Sequence, residues 1–476
     1  MGTLFRDGKR AHMRFKVSVS IKVPRMTASA SLVAFRFGYG LPMDADAPQT
    51  PEAMLAALKA PDEMAASFPI PPYSEVHVHV ADIARNKQAA RTDPALQTRL
   101  DAVDAGLKAA GLTAMRATIA RAVDARDAFR ERLLAFWADH FTVSGGGRED
   151  AIGPYSFAED ALRPHLAGRF GDMLGAVVHH PIMLIYLDQT RSTGPNSVRG
   201  KRQGVGLNEN LARELLELHT MGVGAPYSQD DVRQLAELLT GLTYDPRNGF
   251  SFNGRMAEPG PETVLGQTYE GKGEAPIRAF LHDLAIRPET ARNVSRKLAV
   301  HFVSDTPDEG MIDAMAKAWT TSGGALEAVY GAMLRHPSAM SGPTVKARQP
   351  WDFIVAALRG LGVSGETVMA WETPRLRQTV IVPLRAMGQT WKSPPGPDGW
   401  PEEFENWITP QALAERINWA MRWPAVLVDP LPHPRELATR ILGDRAAPAT
   451  LWAADRAENL AEGVGIVLSS PEFNRR

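Results

Sequence analysis

The chain of 476 residues contains no cysteine. Disulfides, thiolate nucleophiles and thiolate metal sites are thereby excluded. Any divalent metal, which stays open as a cofactor, would need histidine or carboxylate ligands, the donors of zinc, manganese, iron, magnesium or calcium. Net charge is also nearly absent, with 53 Lys and Arg against 54 Asp and Glu. A neutral chain with short basic patches argues against a nucleic-acid partner, because such binding rests on phosphate neutralisation. No apolar run approaches the roughly 18 residues that a membrane-spanning helix needs. No signal segment is visible, so the default expectation is a cytoplasmic location. Familiar catalytic signatures are missing too: there is no HExxH zinc motif, nucleophile elbow or nucleotide fingerprint. GKRQGVG at 200–206 lacks the spacing and the Ser/Thr of a phosphate-binding loop.

What is present is an apolar fraction of 44%, arranged mostly at helical spacing. A chain of this length can bury a substantial core. The expected fold is mainly α: a large multi-helix body with a small β-hairpin-like excursion around 250–270, pairing Phe250–Asn253 with Thr263–Gln267. A long helix is expected from Leu112 to His140, and a second from Phe170 to Leu187, interrupted before Pro181. The regions read as an N-terminal helical part (26–200), a central part (201–345) and a C-terminal part (346–476), or as one continuous body. Residues 1–25 stand apart. They carry seven Lys/Arg and one Asp, and Phe15, Val17, Val19, Ile21 and Val23 alternate with polar residues. They read as an extension ahead of a natural start at Met26.

The most informative stretch runs from Leu207 to Leu242. It holds six carboxylates against two arginines. On a helix from about Asn208 to Met221, Leu211, Ala212, Leu215 and Leu218 share one face. Glu209, Arg213 and Glu217 form an i, i+4, i+8 line, with Asn210 and Glu214 in a parallel line beside it. Side chains of both lines could converge on one ligand, or could simply form surface ion pairs. Gly222 and Gly224 end the helix. Ser228 then reads as an N-cap with Asp231 as its capping-box partner.

This block, NENLARELLELHTMGVG followed by YSQDDVRQLAELLTG, resembles the bacterial domain of unknown function 1800. So do FRFGYGL near the start, ERLLAFWADHF at 131–141, HPIMLIYLD at 180–188, PGPETVLGQTY at 259–269, ARNVSRKLAVHFVSD at 291–305, PPGPDGWP at 394–401 and the final SSPEFNRR. The resemblance runs from about residue 28 to the end. It implies a partner of the domain of unknown function 1501 type, resembling sulfatases and phosphatases, and relatives that are exported. Ala257 and Glu258 stand where such proteins often have His-Asp, so no role for that histidine carries over.

Two function classes follow. One is a hydrolase-type enzyme acting on a glycan or other polymer, possible with metal assistance. Its catalytic candidates are Glu209, Glu214, Asp188 and His140, and its ligand-binding candidates are Asn208, Asn210, Arg213, Trp391 and Trp400. Paired carboxylates serve acid–base chemistry when their surroundings drive their pKa values apart. Trp391, Trp400, Trp407, Trp419 and Trp423 fall within 33 residues, and flat aromatic faces suit sugar rings. The alternative is a non-catalytic helical binding or assembly protein that engages a glycan or the sulfatase/phosphatase-like partner. In that case the tryptophans anchor loops and the aromatic stripe of Phe129, Leu133, Phe136, Trp137 and His140 is core.

Overall fold

The computed structural model describes residues 30–40, 47–144, 151–204 and 206–476. The 1–25 extension and the start at Met26 lie outside the described residues. The fold is mainly α-helical with a small antiparallel β excursion and no closed barrel. Among the described residues no helix is long and apolar enough to cross a membrane.

Many helices open with proline at their first turn, where the missing N–H costs nothing. Pro94, Pro181, Pro288, Pro350, Pro410 and Pro434 all do this. Pro181 breaks Phe170–His179 from Pro181–Tyr186, with His180 extended at ψ 131° and its ring accepting the Ile182 N–H. His336, before Pro337, repeats the same cap on the Ser338 N–H.

The stretch 112–140 is not one helix. Pro94–Asp124 and Ala128–His140 are separate, with Ala125 turned out to ψ 122°. The reason lies elsewhere in the chain. Arg359, on the Pro350–Leu361 helix, donates to the carbonyls of Ala122, Val123 and Ala125 at 2.9, 2.6 and 3.0 Å. Its guanidinium supplies the donors that a terminating helix lacks.

The β excursion also pairs differently from the expectation. Leu242–Asp245 (β1) pairs with Gly249–Phe252 (β2), so Phe250 finds its partner upstream at Tyr244. Glu262–Val264 (β3) folds back on Gln267–Tyr269 (β4). Leu265 and Gly266 form that turn with φ of 52° and 78°, the two left-handed positions of a tight hairpin.

The buried apolar residues form two clusters. One runs from Val33 to Ala339 and takes residues from both 26–200 and 201–345. The other gathers most of the C-terminal helices around Ala114–Val123 of the Pro94–Asp124 helix. The stripe on Ala128–His140 is core: Phe129, Leu133, Phe136, Trp137 and His140 are all buried. Trp137 donates its indole N–H to the Tyr330 hydroxyl at 2.7 Å. The helix's other side faces a cleft.

Candidate functional site

The hallmark helix spans Asn210–Glu217, shorter than its periodicity suggests. Asn208 closes its start, accepting the Asn210 N–H at 2.8 Å and reaching the Asp188 carbonyl at 3.4 Å. Arg213 bridges Glu209 and Glu217 at 3.2 and 3.3 Å. Gln229 closes the lattice, donating to Glu209 at 2.9 Å and accepting from Arg213 at 3.1 Å. Glu209, Arg213 and Glu217 thus fasten this helix to the next, Gln229–Leu238. That second helix carries the capping box between Ser228 and Asp231.

The far end of the hallmark helix is held by Pro288–Phe302. Lys297 donates to the Leu218 carbonyl at 3.0 Å, and Asn293 to that of Thr220 at 2.7 Å. Gly222 is required here: its φ is 99°, and a Cβ would meet the Asn293 side chain at 2.9 Å. Arg292 and Arg296, which with Lys297 make a basic patch on the Pro288–Phe302 helix, pair with Glu309 on the following helix. The two arginines therefore find carboxylates within the chain. Glu258, at the departure from the family pattern, accepts both the backbone and side-chain N–H of Asn196 at 2.9 and 2.6 Å. It pins the Gly- and Arg/Lys-rich segment 190–206 ahead of the hallmark helix.

The catalytic candidates do not converge. Asp188 is exposed at φ 56°. His140 is buried, stacked on Phe136, and its Nε2–H donates to the His219 carbonyl at 3.1 Å. Burial, then Lys297 and His219, push its pKa well below the ordinary value, so it is a neutral imidazole. Among the described residues no group of three or more His, Asp or Glu is placed to hold a metal. Glu214 is the exception to the surface lattice. It is half-buried, and its carboxyl is raised first by burial, then by Glu217 and by Asp398 of the PPGPDGWP loop, against Arg213.

Asp398 links Glu214 electrostatically to a cleft lined by Asp139, Trp391, Lys392 and Trp400. It acts on Lys297, which in turn acts on Asp139. Asp139, the neighbour of His140, lines the cleft, whose cavity volume is about 80 Å³. Trp351, Trp391, Trp400, Tyr39 and Tyr155 supply its aromatic lining. Trp391 stacks on Trp351 with ring centres 3.7 Å apart. Lys392 places its ammonium 5.6 Å from the ring centres of both Tyr155 and Trp391, within cation–π range.

Beneath lies a buried ion-pair framework. Arg163 grips Glu131 with two bonds of 2.9 and 2.8 Å and reaches Asp62 at 2.7 Å. Arg121 pairs with Glu159 at 2.6 Å, and Arg132 with Asp352 at 2.5 Å. His301 joins Glu402 at 2.5 Å, and Lys346 reaches the same carboxylate at 3.1 Å. Burial opposes the Glu402 charge, but His301 and Lys346 outweigh it and hold its pKa at about 2.

Two groups on the cleft wall depart from this pairing. Asp139 is raised to about 8, chiefly by burial and then by the Glu402 charge, against the Trp400 N–H and Lys392. Lys392 is lowered to about 8 by burial, against Asp139 and Glu159. A carboxyl that stays protonated and an amine that loses its proton near neutrality therefore share one wall. Sequence reading singled out each one's neighbour, His140 and Trp391. Trp391 lines the cleft together with Lys392, whereas His140 does not and Asp139 does; nothing in the spacing says so.

Fold and site together define a mainly helical, cysteine-free protein with a titratable, aromatic-lined cleft. The chain belongs to the family described as Protein of unknown function (DUF1800), whose family model matches residues 33–475. No curated protein and no solved structure matches it.

Proposed function

We propose that the chain is an acid–base enzyme of the hydrolase type acting on a saccharide polymer in the Asp139 cleft. The observation that carries this reading is the pair Asp139 and Lys392, both brought to about 8 within one aromatic-lined cleft. Proton transfer is most effective when the pKa of the group lies near the working pH. Asp139, neutral at pH 7, would donate its proton to a leaving oxygen. Glu214, half-buried and within electrostatic reach of Asp398, would be the second carboxylate, activating water. Trp391 and Trp400 would offer faces to sugar rings. Asn208, Asn210, Glu209 and Arg213 take supporting roles in this reading, consistent with their hydrogen bonds to one another and to Gln229.

The test is a screen of soluble glycans for cleavage, followed by Asp139→Asn. The variant should lower kcat by about a hundredfold or more with KM little changed. Wild-type kcat should fall above pH 8 as the donor loses its proton. A variant that turns over at the wild-type rate would sink the reading.

A second reading is a binding protein. The Asp139 carboxylate is engaged by the Trp400 N–H, and one Trp391 face is covered by Trp351. Both favour a loop-anchoring role. Its partner would then be a glycan or the sulfatase/phosphatase-like protein that the family resemblance suggests. Glu214→Gln separates the readings: it should abolish turnover in an enzyme and leave binding through the tryptophans nearly unchanged. Both readings take the chain to be a soluble bacterial protein.

A further inference from the structure

The charges on the cleft wall do not balance in the way that their number suggests. Arg121, Arg132, Arg163 and Lys392 face Glu131, Asp139, Glu159 and Asp352, four cations and four carboxylates. Three pairs are closed: Arg121 with Glu159, Arg163 with Glu131, and Arg132 with Asp352. Asp139 and Lys392 are left, and they do not form a fourth. The Asp139 carboxylate is turned to the Trp400 N–H, 3.1 and 3.2 Å from its oxygens. Among the described residues, no carboxylate lies within salt-bridge distance of the Lys392 ammonium.

Lys392 is partly buried, and a cation drawn part-way out of water is normally paired in proteins. Here two aromatic rings flank it and the cleft opens onto it. Its backbone sits at φ 58°, a left-handed conformation that non-glycine residues rarely adopt and that recurs at ligand sites. With Asp139 protonated at neutral pH, the wall carries one more positive than negative charge.

We propose that the cleft takes an acidic saccharide whose anionic group, a carboxylate or a sulfate ester, is received by Lys392 between Tyr155 and Trp391. This rests on the acid–base reading and names its substrate class. The anion completes the fourth ion pair of the wall, while the adjoining ring packs on Trp391. A hydrogen bond to a charged group contributes about 1.5–3 kcal/mol, which corresponds to a preference over a neutral saccharide of about tenfold or more.

The experiment is isothermal titration calorimetry on the full chain with three ligands of equal length: an oligogalacturonate, a sulfated oligosaccharide and a neutral oligoglucoside. At least one acidic ligand should bind about tenfold or more tighter than the neutral one. Uronate and sulfate arms tell which anion fits. Lys392→Met should bring the acidic ligand down to the neutral level, and Lys392→Arg should retain part of the preference. An anion beside Lys392 also raises the pKa values of Lys392 and Asp139. Binding at pH 8 should therefore take up protons, read as a dependence of the heat on buffer ionisation enthalpy. Equal affinity for acidic and neutral ligands, no binding of either acidic ligand, or full retention of the preference in Lys392→Met overturns the proposal. Should that variant fail to fold, the wild-type comparison and the proton uptake decide. Cleavage of a neutral glycan that depends on Asp139 would overturn this inference and leave the acid–base reading standing. Tight binding of an uncleaved acidic ligand would do the reverse.

Discussion

The Asp139 carboxylate accepts the Trp400 backbone N–H, at 3.1 and 3.2 Å from its two oxygens, across 261 residues of sequence. This bond brings the WADHF end of one helix against the PPGPDGWP loop. Gly399 permits the approach, since a Cβ there would lie 2.8 Å from the Asp139 carbonyl. The loop and the residues just before it thus bring Trp391, Lys392 and Trp400 to a wall built by helices far earlier in the chain.

Stability should dip near pH 8. Asp139 has a folded pKa of about 8, above its unfolded value near 4. Its contribution is fully present below pH 4 and is lost as pH rises to 8. Lys392 has a folded pKa of about 8 against 10.5, so its contribution is present above 10.5 and lost as pH falls to 8. Each slope is at most about 1.4 kcal/mol per pH unit. Urea unfolding from pH 5 to 10 should show Asp139→Asn flattening the acid limb and Lys392→Met the alkaline limb.

Arg163→Met should destabilise the fold by about 3–5 kcal/mol, the usual cost of leaving buried charge without its partner. It strands Glu131 and removes bonds to Asp62 and Glu159. Denaturant midpoints read the loss, and a second change, Glu131→Gln, should recover part of it.

Arg359→Met should loosen the joint between Pro94–Asp124 and Ala128–His140. Three carbonyls lose their donor. Each costs about 1 kcal/mol where water does not replace the bond. Hydrogen exchange should quicken at the last turn before Ala125, with the Asn210–Glu217 helix unaffected.

Arg213→Ala should do little. Its pairs with Glu209 and Glu217 lie at a partly exposed surface, where such bridges contribute about 0–1 kcal/mol each. The melting temperature should shift by no more than a few degrees, and turnover of any glycan that the wild type cleaves should persist. Loss of turnover with an unchanged melt would move Arg213 from the scaffold into the site.

Local chemistry was legible in the sequence. Ser228 and Asp231 form their capping box because its atoms lie within one turn. Pro181 breaks its helix because the missing N–H acts at once on its neighbours. Helical periodicity likewise determined the mainly α fold, and the aromatic stripe on 129–140 its buried face. What depended on distant residues was not legible. The helix expected over 112–140 stops at Asp124 because Arg359 caps it from more than two hundred residues away. Phe250 pairs with β1 and not with β3 because the register of a hairpin is settled by which strand lies alongside. The candidate site shows the same division. Glu214, Trp391 and Trp400 were visible as residue types in suggestive blocks. Asp139 and Lys392 were not, because neither their spacing nor their identity marks them. Burial and the charges packed around them bring both near neutrality, and only the tertiary structure assembles those surroundings.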